Sequence, residues 1–165
     1  MVTGTVIQVS ISPGGIPKRA VSEAHLGPLG LKGDSVAHPA IHGGPNKAVL
    51  LLCAEALVEL KSAGYDLYPG ALGENLTIDG LDRTRFRPGQ QYRVGDAIIE
   101  ITKPRQPCKT ISVYGAGIQK AVYDEKVKAG DASSPLWGLA GFYASVVQPG
   151  RVSQGAPIAL IAESA

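Results

Sequence analysis

The amino-acid sequence predicts a mostly β, barrel-like domain carrying two or three short helices, an α+β domain by some definitions. Three observations lead there. Glycine and proline make up a fifth of the 165 residues while aromatics are only 5%, a composition suited to many short strands joined by tight turns. Apolar side chains recur with a period of two in several segments, the spacing of a half-buried strand. Three Pro-Gly dipeptides, Pro69-Gly70, Pro88-Gly89 and Pro149-Gly150, mark turns, because proline presets one central position and glycine accepts φ above zero at the next.

Taken in chain order, the first strand signal puts Ile7, Val9 and Ile11 on one face and Gln8 and Ser10 on the other. Residues Ala48–Leu52 form an apolar strand behind a glycine-rich turn. A helix is predicted over Ala54–Ala63, with Leu57 and Leu60 at i,i+3 and Gly64 in position to cap its end. Ala97–Thr102 reads as a strand. A second helix is predicted over Gly117–Ala129, where Ile118, Ala121 and Val122 share a stripe and Lys126 and Lys128 suit the negative end of the helix dipole. Phe142–Val147 and Gly155–Ile161 complete the strand set. An internal echo supports a barrel: Pro88-Gly89 and Pro149-Gly150 are each followed by a short strand, a glycine corner and an apolar strand, as in a repeated hairpin.

Length and the lack of any composition shift predict a single domain over 1–165. The net charge of +2 offers no electrostatic footprint for nucleic acid and no basic patch for a membrane surface. The N-terminal residues lack a cationic, apolar leader and no apolar run reaches membrane-spanning length, so a soluble, cytoplasmic protein is expected. Asn75-Leu76-Thr77 matches a glycosylation acceptor by chance on that reading. Two cysteines without a Cys-x-x-Cys pair argue against a disulfide scaffold or a structural zinc site.

The two thiols read oppositely. Cys53 sits in the apolar run Val49–Ala54 and is expected to pack as a small hydrophobe. Cys108 lies in Lys103-Pro104-Arg105-Gln106-Pro107-Cys108-Lys109, a proline-stiffened segment with three cations, and positive surroundings favour the thiolate that attacks or ligates. In His42-Gly43-Gly44-Pro45-Asn46-Lys47, adjacent glycines let backbone N–H groups approach an anion, with His42 and Lys47 adding donors; a plain turn before a strand is the alternative. His38 precedes His42 by four residues, but Pro39 spoils the helix that a metal pair would need. In Gly73-Glu74-Asn75, either Glu74 or Asn75 faces a pocket or bonds local backbone. Arg83, Arg85 and Arg87 would share one side of an extended segment, ready for phosphate or carboxylate, or simply solvated. Asp34 reads as a turn residue. No nucleophile elbow and no Gly-x-Gly-x-x-Gly signature is present.

Three segments in this order, His42–Val49, Gly73–Thr77 and Arg105–Cys108, together with Gly141–Val146 and the following Pro149-Gly150, resemble the MOSC domain, the module at the C-terminus of molybdenum cofactor sulfurases and in short stand-alone bacterial proteins. The resemblance spans nearly the whole chain. It implies a β-barrel fold, and it matches Cys108 to the family's reactive cysteine, which ligates molybdenum in members that reduce N-hydroxylated compounds. It further implies a molybdenum cofactor (a Mo-molybdopterin) held through His42, Gly43, Gly44, Lys47, Glu74, Asn75 and Arg105. The expected activity is an oxidoreductase acting on small N-hydroxylated substrates with an electron-transfer protein as partner. A sulfur carrier with a persulfide on Cys108, served by a sulfur-donor protein, is the alternative, and a non-catalytic cofactor-binding module a third. The family's usual Gly-Trp-Tyr-Ala-Arg-Val and later Gly-Asp stand here with Phe142, Ser145 and Ala156, so one arginine of the pattern is absent.

Overall fold

A computed structural model describes residues 2–35 and 43–164. Eleven strands form: β1 (Thr3–Ile11), β2 (Arg19–Val21), β3 (Glu23–Gly27), β4 (Gly30–Leu31), β5 (Val49–Cys53), β6 (Leu76–Asp79), β7 (Gln91–Val94), β8 (Ala97–Pro104), β9 (Phe142–Gln148), β10 (Gly150–Ser153) and β11 (Pro157–Ala162). The main sheet runs β11-β7-β8-β9-β5-β6-β1-β2, and pairing of β11 with β1 closes seven of these strands into a barrel with β2 as an appendage. The mostly β, barrel-like expectation therefore holds. All barrel pairings are antiparallel except β5 with β6. A smaller sheet, β10-β3-β4, packs against the barrel and contributes Leu26, Leu31 and Val152 to the same core.

The barrel interior is filled by Val6, Val9, Leu51, Leu76, Ile78, Ile99, Ile101, Phe142, Ala144 and Ile158, and is sealed at one side by Trp137 and Phe86. Phe86 stacks on both Tyr92 and Phe142 with centroids 5.1 Å apart, an offset arrangement that adds to area burial. β5 is buried along its whole length. Its Leu51 and Cys53 face the barrel core, while Leu52 joins an outer cluster with Leu57 and Leu60 of α1 (Ala54–Ser62). Cys53 is thus the inert packing residue expected, and burial pushes its thiol pKa far up.

Several sequence expectations change in detail. β1 contains a bulge between Val6 and Gln8, which moves Val6 onto the core face beside Val9 and leaves Ile7 outside the core cluster. The predicted helix over Gly117–Ala129 is two short ones, α2 (Ile118–Val122) and α3 (Glu125–Lys128), because Asp124 accepts the Val127 N–H at 2.8 Å and caps a new start. Arg83–Arg85 is a 3-10 turn, not a strand. Its Arg83 is buried against Glu59 at 2.9 Å and the carbonyls of Pro135 and Trp137, so no row of three guanidinium groups forms. The echo is real in order but not in pairing: β7 and β8 form a hairpin, whereas β10 pairs with β3 and β11 closes the barrel. Gly70 and Gly89 have φ near +90°, as their turns require, but Gly150 lies in a strand. A Cβ there would come within 2.5 Å of the Asp96 backbone. Gly150→Ala is expected to destabilise by about 1–3 kcal/mol through overpacking, measured as a lower urea midpoint at unchanged slope.

Candidate functional site

β8 ends at Pro104 and hands the chain to Arg105, whose N–H donates to Gly141 O at 2.8 Å. Pro107 is buried, and Ile111 of the following 3-10 turn (Lys109–Tyr114) is fully enclosed in the outer cluster. Cys108 is thereby held between two anchored points while its own side chain stays half-buried. Its sulfur faces a cleft of about 520 Å³ beside the start of β5, the start of β6 and the end of β8. That volume lies within the range of pockets that enclose small ligands and cofactors.

Burial alone would raise the Cys108 pKa. The Thr110 hydroxyl, 2.9 Å from Sγ, the Thr110 N–H and the Arg105 charge together overcome it and hold the thiol below its ordinary value. Thr110 was not singled out from sequence, although its position two residues after the cysteine at a turn start was the available signal. Thr110→Val is expected to shift the pH profile of iodoacetamide alkylation at Cys108 to higher pH. Cys53 should stay unmodified in the folded protein, and peptide mass mapping reads both.

Of the other expected residues, Gly43, Gly44, Lys47, Asn75 and Arg105 line the same cleft as Cys108. His42 and His38 lie outside the described residues. Gly44 adopts φ +100° at the head of the 3-10 turn Pro45–Lys47, a backbone that favours glycine, and nothing lies within 4 Å of where its Cβ would be. Lys47 Nζ sits 5.4 Å over the Tyr143 ring; burial, then the charge of Lys103, lowers its pKa. Arg105 is buried, its Nη1 donates to Ala140 O at 3.4 Å, and its Nε has no partner among the described residues. A buried guanidinium with an unused donor on a cleft wall suits an anion.

Glu74, expected among the cofactor-binding residues, is fully enclosed and does not line the cleft. Burial raises its pKa against the opposing hydrogen bonds of nearby backbone N–H groups and Thr77. The Arg105 charge also opposes that rise. Asn75 does line the cleft, but its amide is committed. Oδ1 accepts from Leu50 N at 3.0 Å, and Nδ2 donates to Ser10 O at 3.2 Å and to Asp34 Oδ2 at 2.9 Å. Asp34 is no mere turn residue, since it forms a buried 2.6 Å ion pair with Lys18 on the cleft wall. Sequence reasoning missed Lys18, Asp34 and Tyr143 as cleft residues, because their partners come from segments distant in the chain.

Among the described residues no group of three or more His, Cys, Asp or Glu could hold a metal unaided, and no helix is long and apolar enough to cross a membrane. The donors that do converge, a thiol favoured as thiolate, paired glycine backbone and partly buried cations, fit an anionic cofactor carrying a soft metal.

Comparison with known proteins places the fold in a family. The chain is 32% identical to Protein YiiM of Escherichia coli (strain K12) over 154 residues, covering 90% of this chain and 64% of that protein. It is 35% identical to the uncharacterized protein YflK of Bacillus subtilis (strain 168) over 149 residues, covering 89% and 63%. The chain therefore spans less than two thirds of the length of these two relatives. The crystal structure of YiiM from E. coli superposes with a TM-score of 0.70 at 26% identity, covering 98% of this chain and 71% of that one. YiiM from Geobacillus stearothermophilus, at 24% identity, shares the fold with a TM-score of 0.73 over 96% and 75% of the respective chains. With the MOSC domain model matching residues 38–159, the chain belongs to the MOSC domain family.

Proposed function

We propose that this protein binds a molybdenum cofactor in the cleft, with Cys108 as the protein ligand to the metal, and reduces small N-hydroxylated compounds. The observation that carries the reading is the thiol of Cys108, lowered in pKa by Thr110 and Arg105 and opening into a cleft of about 520 Å³. MOSC domains are associated with molybdenum cofactor binding in general, and residues 38–159 of this chain match that domain.

The chain's own contributions follow from chemistry already described. Cys108 is held ready to lose its proton, and a thiolate is the form that ligates a soft metal. Arg105, Lys47 and the N–H groups near Gly43 and Gly44 would face the anionic end of the cofactor. Ala48, Leu50 and Leu31 give the cleft an apolar wall that limits water around them. When bound, the cofactor would supply the redox chemistry: the N–O bond breaks, two electrons and two protons are consumed, and an amine and one water are released. The electrons would come from a partner protein, with no nucleic acid or membrane involved.

The test is turnover of an N-hydroxylated amide by protein purified from a cofactor-producing host, using a reduced viologen as electron donor. Amine or amide product in amounts that scale with molybdenum content supports the reading. A molybdenum-loaded protein with no turnover of any N-hydroxylated compound contradicts it. If instead Cys108 gains 32 Da on incubation with a cysteine desulfurase and cysteine, the sulfur-carrier alternative gains ground.

A further inference from the structure

The buried Lys18–Asp34 pair is not required by the cofactor-binding account. Both side chains are nearly enclosed, at 6% and 10% exposure, yet both line the cleft that holds Cys108. Taking two charges out of water is costly, and an apolar pair of similar volume is often as stable or more so. Here the pair borders ligand space instead of closing a core.

Its hydrogen-bond capacity is not exhausted. The Lys18 ammonium has three donors. Two are used, to Asp34 Oδ1 at 2.6 Å and Ser35 O at 3.1 Å. Asp34 Oδ1 also accepts Ser12 N at 2.9 Å, whereas among the described residues Oδ2 accepts only Asn75 Nδ2, at 2.9 Å. Among the described residues, one ammonium donor and one carboxylate lone pair are left on adjacent groups. Asn75 and Ser12 lock the carboxylate in place, so a ligand meets a rigid, preorganised acceptor.

We infer that Lys18 and Asp34 recognise the N–O–H group of the substrate, Asp34 Oδ2 accepting its hydroxyl proton and Lys18 donating to its oxygen or nitrogen. The inference rests on the N-hydroxylated substrate class proposed above and adds the residues that select it. A carboxylate that must accept a proton is left with an unmet lone pair by any analogue lacking O–H, the arrangement that discriminates best.

The test is direct binding by the full chain at pH 7, read by calorimetry or ligand-observed NMR, so it does not depend on turnover. Three neutral probes differ at one group: N-hydroxybenzamide, N-methoxybenzamide and benzamide. The wild type should bind N-hydroxybenzamide about tenfold or more tightly than the other two, the worth of a hydrogen bond to a charged group. In Asp34→Asn the preference for N-hydroxybenzamide over N-methoxybenzamide should fall to within about twofold. In Lys18→Met, the preference of both oxygenated probes over benzamide should shrink. The readout is a ratio within each variant, so a reduced folded fraction does not move it. A wild type with no preference, no binding of any probe, or variants that keep the full preference would overturn the assignment. A preference that behaves as expected in a cofactor-loaded protein without turnover would sink the reductase reading and leave this one standing.

Discussion

Replacing Cys108 with serine is expected to lower turnover of N-hydroxylated compounds by at least about a hundredfold while leaving the melting temperature nearly unchanged. Removing a group that merely orients a metal ligand typically costs about 10–100-fold, so a larger loss separates a ligand from a positioning residue. A serine hydroxyl keeps the size of the side chain but stays protonated near neutral pH and is a hard donor, poorly suited to a thiophilic metal. Stability should hold because Sγ is half-exposed and makes one described side-chain contact, to Thr110. The loop is instead fixed by Pro107, Ile111 and the Arg105–Gly141 backbone bond. Parallel viologen-oxidation assays and thermal melts measure both quantities, and retained turnover in the serine variant would refute the ligand role.

Asn75→Ala should produce the opposite pattern, a large loss of stability. The side chain is 5% exposed and joins three parts of the chain: Leu50 at the start of β5, Ser10 near the end of β1, and Asp34 beside Lys18. Truncation leaves the Leu50 N–H and the Ser10 carbonyl without their side-chain partner, and takes one of three donors from the Asp34 carboxylate. At about 1–3 kcal/mol for each buried group left unmet, the sum is about 3–5 kcal/mol, a large share of a domain's stability. For a chain of this size that corresponds to a drop in melting temperature on the order of 10 °C. A fall of less than about 2 °C would show that Asn75 is not the clasp described.

Much of the barrel was legible because its strands carry their own signal. β8, β9 and β11 alternate or run apolar, and Gly64 and Gly130 end the helical segments where a positive φ is required. What stayed hidden has physical causes. β2, β3 and β4 are only two to five residues long, so no apolar periodicity marks them; they are defined by their backbone pairings with β1, β10 and each other. The bulge in β1 shifts the core face by one residue, which a strict period of two cannot register. Arg83 looked like an exposed cation until α1 supplied Glu59 and the segment before β9 supplied two carbonyls.

The site divides the same way. Cys108 was identifiable from its own neighbours in sequence, since prolines and cations act locally on a thiol. Gly44 and Lys47 were identifiable as a turn that presents backbone and charge. Asp34 and Lys18, sixteen residues apart, meet on the cleft wall only because the loop after β4 folds against the segment joining β1 to β2. For Glu74 the sequence left a pocket position and local bonding both open, and the fold encloses the side chain away from the cleft.

In the proposed function the Cys108 sulfur binds the metal. Wild-type and Cys108→Ser proteins purified side by side from a cofactor-producing host, with molybdenum per chain measured by mass spectrometry of the digested metal, test it most directly. Molybdenum retained by the wild type and reduced at least about tenfold in the variant is the predicted result. Equal molybdenum in both proteins would contradict it.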